Sequence, residues 1–181
     1  GKLNHYVENE NKIYLHKGII EAFSIQVPEI KGRELFEYLP RFKDCYPIVE
    51  AFVDSLLWRK ADTINEDLIP YVNEHVFSYE GTFGLYWEAI ISVTAIPEHY
   101  FNAEFLHKNL IQQSLAERDS QWTVLLSDKY SDDSSVKRLI DWSWSSVDKT
   151  HISDYSIKLS AITLSWFHTS TNRTLRDSST K

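Results

Sequence analysis

An apolar stretch near the middle of the chain reads Leu85-Tyr86-Trp87-Glu88-Ala89-Ile90-Ile91-Ser92-Val93-Thr94-Ala95-Ile96, and Pro97 follows it. A helix that is apolar on most of its sides must be buried on most of its sides. Pro97 lacks the backbone N–H that a continuing helix needs, so it marks the end of this one. The stretch therefore predicts a buried helix over residues 85–96, preceded by Gly81 and Gly84.

Further helices are predicted toward the C-terminus, from apolar residues at helical spacing and from residues that cap helices. They run from Ala103 to Leu115, from an Asp119 cap to Leu126, from a Ser134 or Ser135 cap to Trp144, and from Ser153 to about Phe167, and Asn172 opens another. The third of these has its apolar positions at Val136, Leu139, Ile140 and Trp144. Short connections between these helices predict that consecutive ones pack side by side.

Toward the N-terminus the pattern remains helical back to residue 33. Helices are predicted from Arg33 to Tyr38, from Pro47 to Trp58, and from a Thr63 cap with Glu66 as its capping-box partner, the last one kinked or split at Pro70. Residues 19–27, which Pro28 ends, fit a helix or a strand, and residues 5–15 fit a small β-hairpin around a polar turn. We expect a mainly α fold, an irregular helical array or α-solenoid, and leave open whether residues 5–27 are strand or helix.

Composition narrows the classes of function. The net charge of −7 argues against a nucleic-acid-binding domain, which usually carries a basic stripe. The single cysteine, Cys45, rules out an internal disulfide framework and a thiolate zinc cage, and it fits the cytoplasm. No apolar run reaches membrane-spanning length, and no glycine-rich phosphate loop is present. The sequence predicts no catalytic residue, no cofactor and no metal.

Four groups of residues are candidate sites. His99 and His107, near Glu98 and Glu104, suggest either a metal or base site or two half-exposed, hydrogen-bonded imidazoles. Glu117 and Asp119 suggest a carboxylate pair for acid–base work. The simpler interpretation is a helix cap at Asp119, with the intervening Arg118 tying adjacent helices through a carboxylate. Trp142 and Trp144 cannot share a helix face, so one is expected in the core and the other at a neighbour or in solvent. Trp142, if exposed, marks a contact surface, and the alternative is a second buried seam. A polar helix start contains Asn172, Arg173, Arg176 and Asp177. These residues either cap the helix and form salt bridges, or Arg173 and Arg176 contact a phosphate or a partner.

Four strings spread along the chain resemble the helical region of bacterial STAND-type NTPases, the large antiviral ATPases of the AVAST kind. They are Tyr14–Ala22 (YLHKGIIEA), Asn102–His107 (NAEFLH), Ala116–Asp119 (AERD, with Trp122 following) and Thr171–Asp177 (TNRTLRD, running on to Thr180 and Lys181). In that family a P-loop NTPase precedes the helical region. The whole protein senses a phage component, oligomerises with ATP and switches on an effector domain.

The resemblance implies that residues 1–181 are a single helical domain or repeat segment, an excerpt of a larger protein that forms a homo-oligomer. Its partners would be other domains of that protein or a phage protein, without contact to nucleic acid or membrane. We expect a non-catalytic scaffold or sensor arm, with Trp142, Arg173 and Arg176 as possible contact residues. The tryptophans expected to anchor the core or an interface are Trp58, Trp87, Trp122, Trp142, Trp144 and Trp166.

Two alternatives remain at this level. One is a small helical enzyme that uses Glu98, His99, His107 and Asp119 around a pocket. The other is a stand-alone adaptor domain.

Overall fold

The computed structural model describes residues 17–78 and 80–180, and within these ranges the protein is mainly α-helical and contains no strand. The mainly α fold predicted from the sequence is thus confirmed. In chain order the α-helices are α1 Lys17–Lys31, α2 Leu35–Tyr38, α3 Tyr46–Ser55, α4 Ile69–Tyr71, α5 Glu80–Val93, α6 Ala103–Gln112, α7 Leu115–Arg118, α8 Val124–Lys129, α9 Ser135–Trp144, α10 Asp154–Phe167 and α11 Arg173–Ser179. The β-hairpin predicted over residues 5–15 lies outside the described residues.

The ambiguous segment over residues 19–27 is helical, and Pro28 does not end it. Pro28 is buried inside α1, which continues to Lys31. The proline removes one donor, but its own carbonyl still accepts a hydrogen bond from Gly32 N at 2.9 Å. Gly32 has a φ of 61°, the left-handed conformation that ends many helices and that glycine adopts without steric cost.

The region around Pro70 differs from its prediction. Thr63 is not a helix N-cap, because it ends a 3₁₀ turn, Ala61–Thr63, where its hydroxyl donates to the carbonyl of Lys60. Asn65 caps the next 3₁₀ turn, Glu66–Leu68, by accepting from Asp67 N. Pro70 therefore lies in the first turn of α4, a position that needs no N–H, and a π-helical turn over Val72–Val76 follows.

Helix α5 is buried as predicted but begins earlier and ends earlier. It starts at Glu80, so Gly81 and Gly84 lie inside it, and it ends at Val93 rather than Ile96. Thr82 contributes to this earlier start, because its buried hydroxyl donates to the carbonyl of Val76 at 2.6 Å.

Side-chain caps fix the beginnings of the later helices. Ser134, Ser153 and Asn172 act as N-caps, as the sequence predicts. The Asp119 cap is wrong, because Ser114 takes that role in a capping box with Glu117. The chain then stays helical through a π-helical turn over Asp119–Thr123, so Asp119 has no free helix end to cap.

The main helix pairings join elements that are distant in sequence. Helix α3 packs on α1 and α5, α5 packs on α9, and α10 packs on α6, α9 and α11. The prediction that consecutive helices pack side by side therefore holds for α1–α2, α2–α3, α9–α10 and α10–α11. It does not hold for α5 and α6, because α5 packs mainly on α3 and α9 and α6 packs mainly on α10.

Two large groups of buried side chains form most of the core of the described residues. The first core cluster extends from Val49 to Phe101 and lies between α3, α4 and α5, and the second core cluster extends from Ile91 to Leu175 and lies between α5, α6, α8, α9, α10 and α11. Trp87 packs against both clusters. Helix α5 is consequently the element that joins the two halves of the core.

Candidate contact surface

A shallow groove of about 400 Å³ lies between α1 and α3, at the end where α3 stops. Its lining residues are Glu21, Ile25, Ala51, Asp54, Ser55 and Trp58. Trp58 is the most exposed tryptophan of the described residues, with 73 % of its surface accessible. An exposed indole beside a concave surface is typical of an anchor point in protein interfaces, because tryptophan is enriched among the residues that dominate binding energy.

The backbone after α3 explains why Trp58 points outward. The N–H groups of Leu56, Leu57 and Trp58 bond to carbonyls three residues back, so α3 ends in a tight turn. The next residue, Arg59, turns into the protein, where its side chain is fully buried. A 3₁₀-type turn places neighbouring residues on different sides, so burying Arg59 leaves Trp58 at the surface.

The turn that carries Trp58 is fixed at both sides. Arg59 Nη1 donates to both carboxylate oxygens of Glu34 at 2.8 Å, and Lys60 N donates to Glu29 Oε1 at 2.8 Å. Glu29 belongs to α1 and Glu34 precedes α2. The position of the indole relative to the groove is therefore set by two contacts to the elements before α3, a buried ion pair at Arg59 and an exposed hydrogen bond from Lys60 N to a carboxylate.

The groove wall is acidic. Lys17 Nζ on α1 lies 3.8 Å from Glu21 Oε1 on the same helix and 3.2 Å from Glu50 Oε1 on α3. The ion pair with Glu50 joins α1 to α3. Burial raises the pKa of the Asp54 carboxyl above its ordinary value, the neighbouring Glu50 carboxylate adds to this, and Lys17 acts in the opposite direction. Among the residues that the structure describes, this region thus combines three carboxylates with a single ammonium group.

The contact residues predicted from the sequence lie on two separate elements. Trp142, near the end of α9, is partly buried, and Lys149 Nζ lies 5.4 Å from the centre of its ring. Arg173 is exposed on α11 and pairs with Asp177 at 3.5 Å. Arg176 Nη1 donates to the carbonyls of Ser170 and Thr171, so this guanidinium holds the loop before α11.

Trp144 was predicted as an apolar position of α9, and this is wrong in part. Val136 and Ile140 are buried in the second core cluster and Leu139 packs against it, whereas 45 % of Trp144 is accessible. Trp144 is the last residue of α9, one turn beyond the buried Ile140.

The groups considered for the enzyme alternative have separate hydrogen-bond partners. His99 is 3 % exposed rather than half-exposed, with Nε2 3.0 Å from the carbonyl of Leu56 and Nδ1 accepting from Phe101 N at 3.1 Å. His107 is exposed and its Nδ1 accepts from Trp166 Nε1. Asp119 accepts from the hydroxyl of Thr123. Within the described ranges no group of three or more His, Cys, Asp or Glu side chains could hold a metal ion.

Glu117 and Asp119, the carboxylate pair predicted as an option for acid–base work, also have separate hydrogen-bond partners. Glu117 accepts from Ser114 N and Oγ at 2.8 Å, and these bonds lower the pKa of its carboxyl. The guanidinium of Arg118 lies 5.6 Å from the ring centre of Trp166 on α10. Arg118 thus ties α7 to α10 through an aromatic ring, where a carboxylate was expected.

Sequence reasoning named Trp58 as an anchor but not the groove beside it. Glu21 and Asp54 lie on helices whose adjacency is not visible in the sequence. One local signal was available, because Glu50 and Asp54 are like charges four residues apart on a helix, a spacing that costs stability in the absence of a counter-charge.

Comparisons with known proteins do not supply a family. No protein-family model matches the chain, and no curated protein or solved structure matches it either. Over the described residues, no helix has the length and apolar character needed to cross a membrane.

Proposed function

We propose that this chain is a non-catalytic helical contact unit, a scaffold or sensor arm of a STAND-type ATPase in antiphage defence. It works in the cytoplasm by making protein–protein contacts and passing them on as movements of packed helices. Its partners are other domains of a larger, homo-oligomeric protein or a phage protein. The four strings that resemble the helical region of that family are what supports this biological setting.

The observation that carries the mechanical part of the proposal is a chain of aromatic rings through α5. The Trp87 ring lies 5.6 Å from Tyr86 and 5.8 Å from Trp122, both in edge-on geometry. Tyr86 continues to Phe101 in the first core cluster, and Trp122 stacks on Phe167 in the second. Close-packed rings of this kind resist independent movement, so a displacement of one cluster is transmitted to the other as a rigid-body shift.

Exposed apolar side chains supply the contact part of the proposal. Trp58, Ile30, Leu115 and Val147 are each more than 60 % accessible. Single exposed apolar residues are ordinary, but an indole next to a groove is a more specific feature. Trp58 and its groove lie on the α1–α3 side, where Ala51 belongs to a smaller buried cluster with Ile20, Leu35, Leu39 and Ile48, and they are therefore the preferred docking point.

The decisive experiment uses the longer protein in phage-infected cells, in three forms besides wild type. Deletion of residues 17–180 is expected to abolish capture of the phage component. Trp58→Ala is expected to weaken it, and Trp144→Ala, another accessible tryptophan away from the groove, is expected to leave it unchanged. Captured proteins are identified by mass spectrometry after a pull-down. Capture that survives the deletion would show that this region has no part in sensing.

Coupling is tested separately with Trp87→Leu. This change removes the ring that joins the two core clusters but leaves the groove residues in place. We expect the variant to retain partner capture and to lose partner-dependent oligomerisation, measured by sedimentation. Normal oligomerisation of a folded Trp87→Leu protein would refute the rigid coupling through α5.

A further inference from the structure

The groove between α1 and α3 has an excess of negative charge that the described residues do not neutralise. Glu21 and Asp54 line the groove, Glu50 is a like-charged neighbour of Asp54, and Lys17 lies within 4 Å of Glu50 and Glu21 only. Among the described residues, none donates a hydrogen bond to the half-buried carboxylate of Asp54. A partly buried charge without a close counter-charge is costly, and the cost falls when a cation enters.

The same surface offers an aromatic face. Trp58 lines the groove together with Asp54, and its indole is largely accessible. Indole is the best aromatic partner for a cation, and the attraction grows when water is excluded. Ile25 and Ala51 supply apolar surface in the same groove, which suits the aliphatic stem of a long basic side chain.

We propose that this groove binds an arginine side chain presented by a protein partner, with the guanidinium between the Trp58 indole and the Asp54 carboxylate. Arginine fits better than lysine because its planar guanidinium stacks on an aromatic ring and also donates in a fixed fork to a carboxylate. This inference rests on the proposed function, since it names the chemistry of the partner at the docking point.

The test uses the intact chain and a defined probe, the peptide acetyl-Leu-Arg-Leu-amide. The matched control peptide carries citrulline instead of arginine. Citrulline has a side chain of the same length and similar shape, but its urea group is uncharged. Binding is followed through the indole N–H signals of the ¹⁵N-labelled protein, with the Trp58 signal identified by its loss in Trp58→Phe. We expect a saturable shift of that signal with a dissociation constant on the order of 1 mM, the range of one anchored side chain.

Two variants separate charge recognition from simple contact. Asp54→Asn keeps the size of the side chain and removes a like-charge neighbour of Glu50. Because it also removes the carboxylate that faces the guanidinium, we expect it to weaken binding of the arginine peptide about fivefold or more. Asp132→Asn, at an exposed site outside the groove, is expected to change it less than about twofold, as for a screened surface charge. Circular dichroism confirms that both variants are folded.

Three results would overturn the proposal. They are equal binding of the arginine and citrulline peptides, the absence of a saturable Trp58 shift up to about 10 mM peptide, and undiminished binding by Asp54→Asn. A Trp58 shift that depends on protein concentration without peptide would assign the groove to a second copy of the chain, which also overturns it. None of these results affects the deletion experiment, so failure of the arginine site and failure of the proposed function are distinguishable.

Discussion

Replacement of Trp122 by alanine provides the strictest test of the core described above. Trp122 is 2 % exposed, its ring packs edge-on against Trp87 and stacks on Phe167, and its Nε1 donates to the carbonyl of Trp166 at 3.3 Å. Truncation of a buried tryptophan to alanine costs about 3–5 kcal/mol. Two ring pairs and a hydrogen bond across 44 residues of sequence place Trp122→Ala in the upper half of that range, at about 4 kcal/mol.

A milder change separates the hydrogen bond from the ring. Trp122→Phe keeps an aromatic ring but removes the donor. The carbonyl of Trp166 still accepts from the hydroxyl of Thr169 at 2.7 Å, so it does not become an unsatisfied buried acceptor. The expected loss is therefore about 1–2 kcal/mol, from one hydrogen bond and part of the packing.

The assay is urea unfolding followed by circular dichroism at the helical minimum, with the slope against urea checked for constancy. Trp58→Ala serves as the matched control, because the same residue type is removed from an exposed site, where the effect is expected to stay within about 0.5 kcal/mol. The reasoning would be refuted if Trp122→Ala and Trp58→Ala lost the same stability, or if Trp122→Phe lost as much as Trp122→Ala.

Three further predictions concern other parts of the core. Glu34→Gln leaves the buried Arg59 guanidinium without its counter-charge, so we expect the free energy of unfolding to fall by about 3–5 kcal/mol in the same urea assay. The double variant Glu34→Leu/Arg59→Met should recover most of that stability. Burial lowers the pKa of His99 from its ordinary 6.5, so near and below that pH the unfolded state binds a proton that the folded state does not. The free energy of unfolding should therefore fall as the pH drops below about 6.5, and His99→Asn should flatten that dependence. Gly84→Ala places a methyl group 3.0 Å from Lys129 Nζ, the end of a flexible side chain that can move away. The gain in helix propensity, roughly 0.5–1 kcal/mol, should therefore raise the melting temperature, and a lower melting temperature would contradict the prediction.

The helical class of this protein could be read from local patterns because helices depend on neighbours a few residues away. Apolar spacing located α5, α6, α9 and α10, and short polar side chains located the starts at Ser134, Ser153 and Asn172. The misplaced caps at Thr63 and Asp119 have a common origin. Threonine and aspartate can both cap a helix, but whether either lies at a helix start depends on where the preceding turn ends. Asn65 takes the capping role near Thr63, and Ser114 takes it near Asp119.

Composition and periodicity alone establish that the chain is helical, rich in aromatic residues and acidic, because they express these properties directly. Which tryptophans are buried and which face outward depends on how the helices pack in three dimensions. Trp122 and Trp58 are the same residue type in apolar surroundings, yet one is 2 % and the other 73 % accessible. The pairing of α1 with α3, and of α5 with α9, creates both the core around Trp87 and the groove beside Trp58, and such pairing depends on shape complementarity between segments distant in sequence, which no local pattern records.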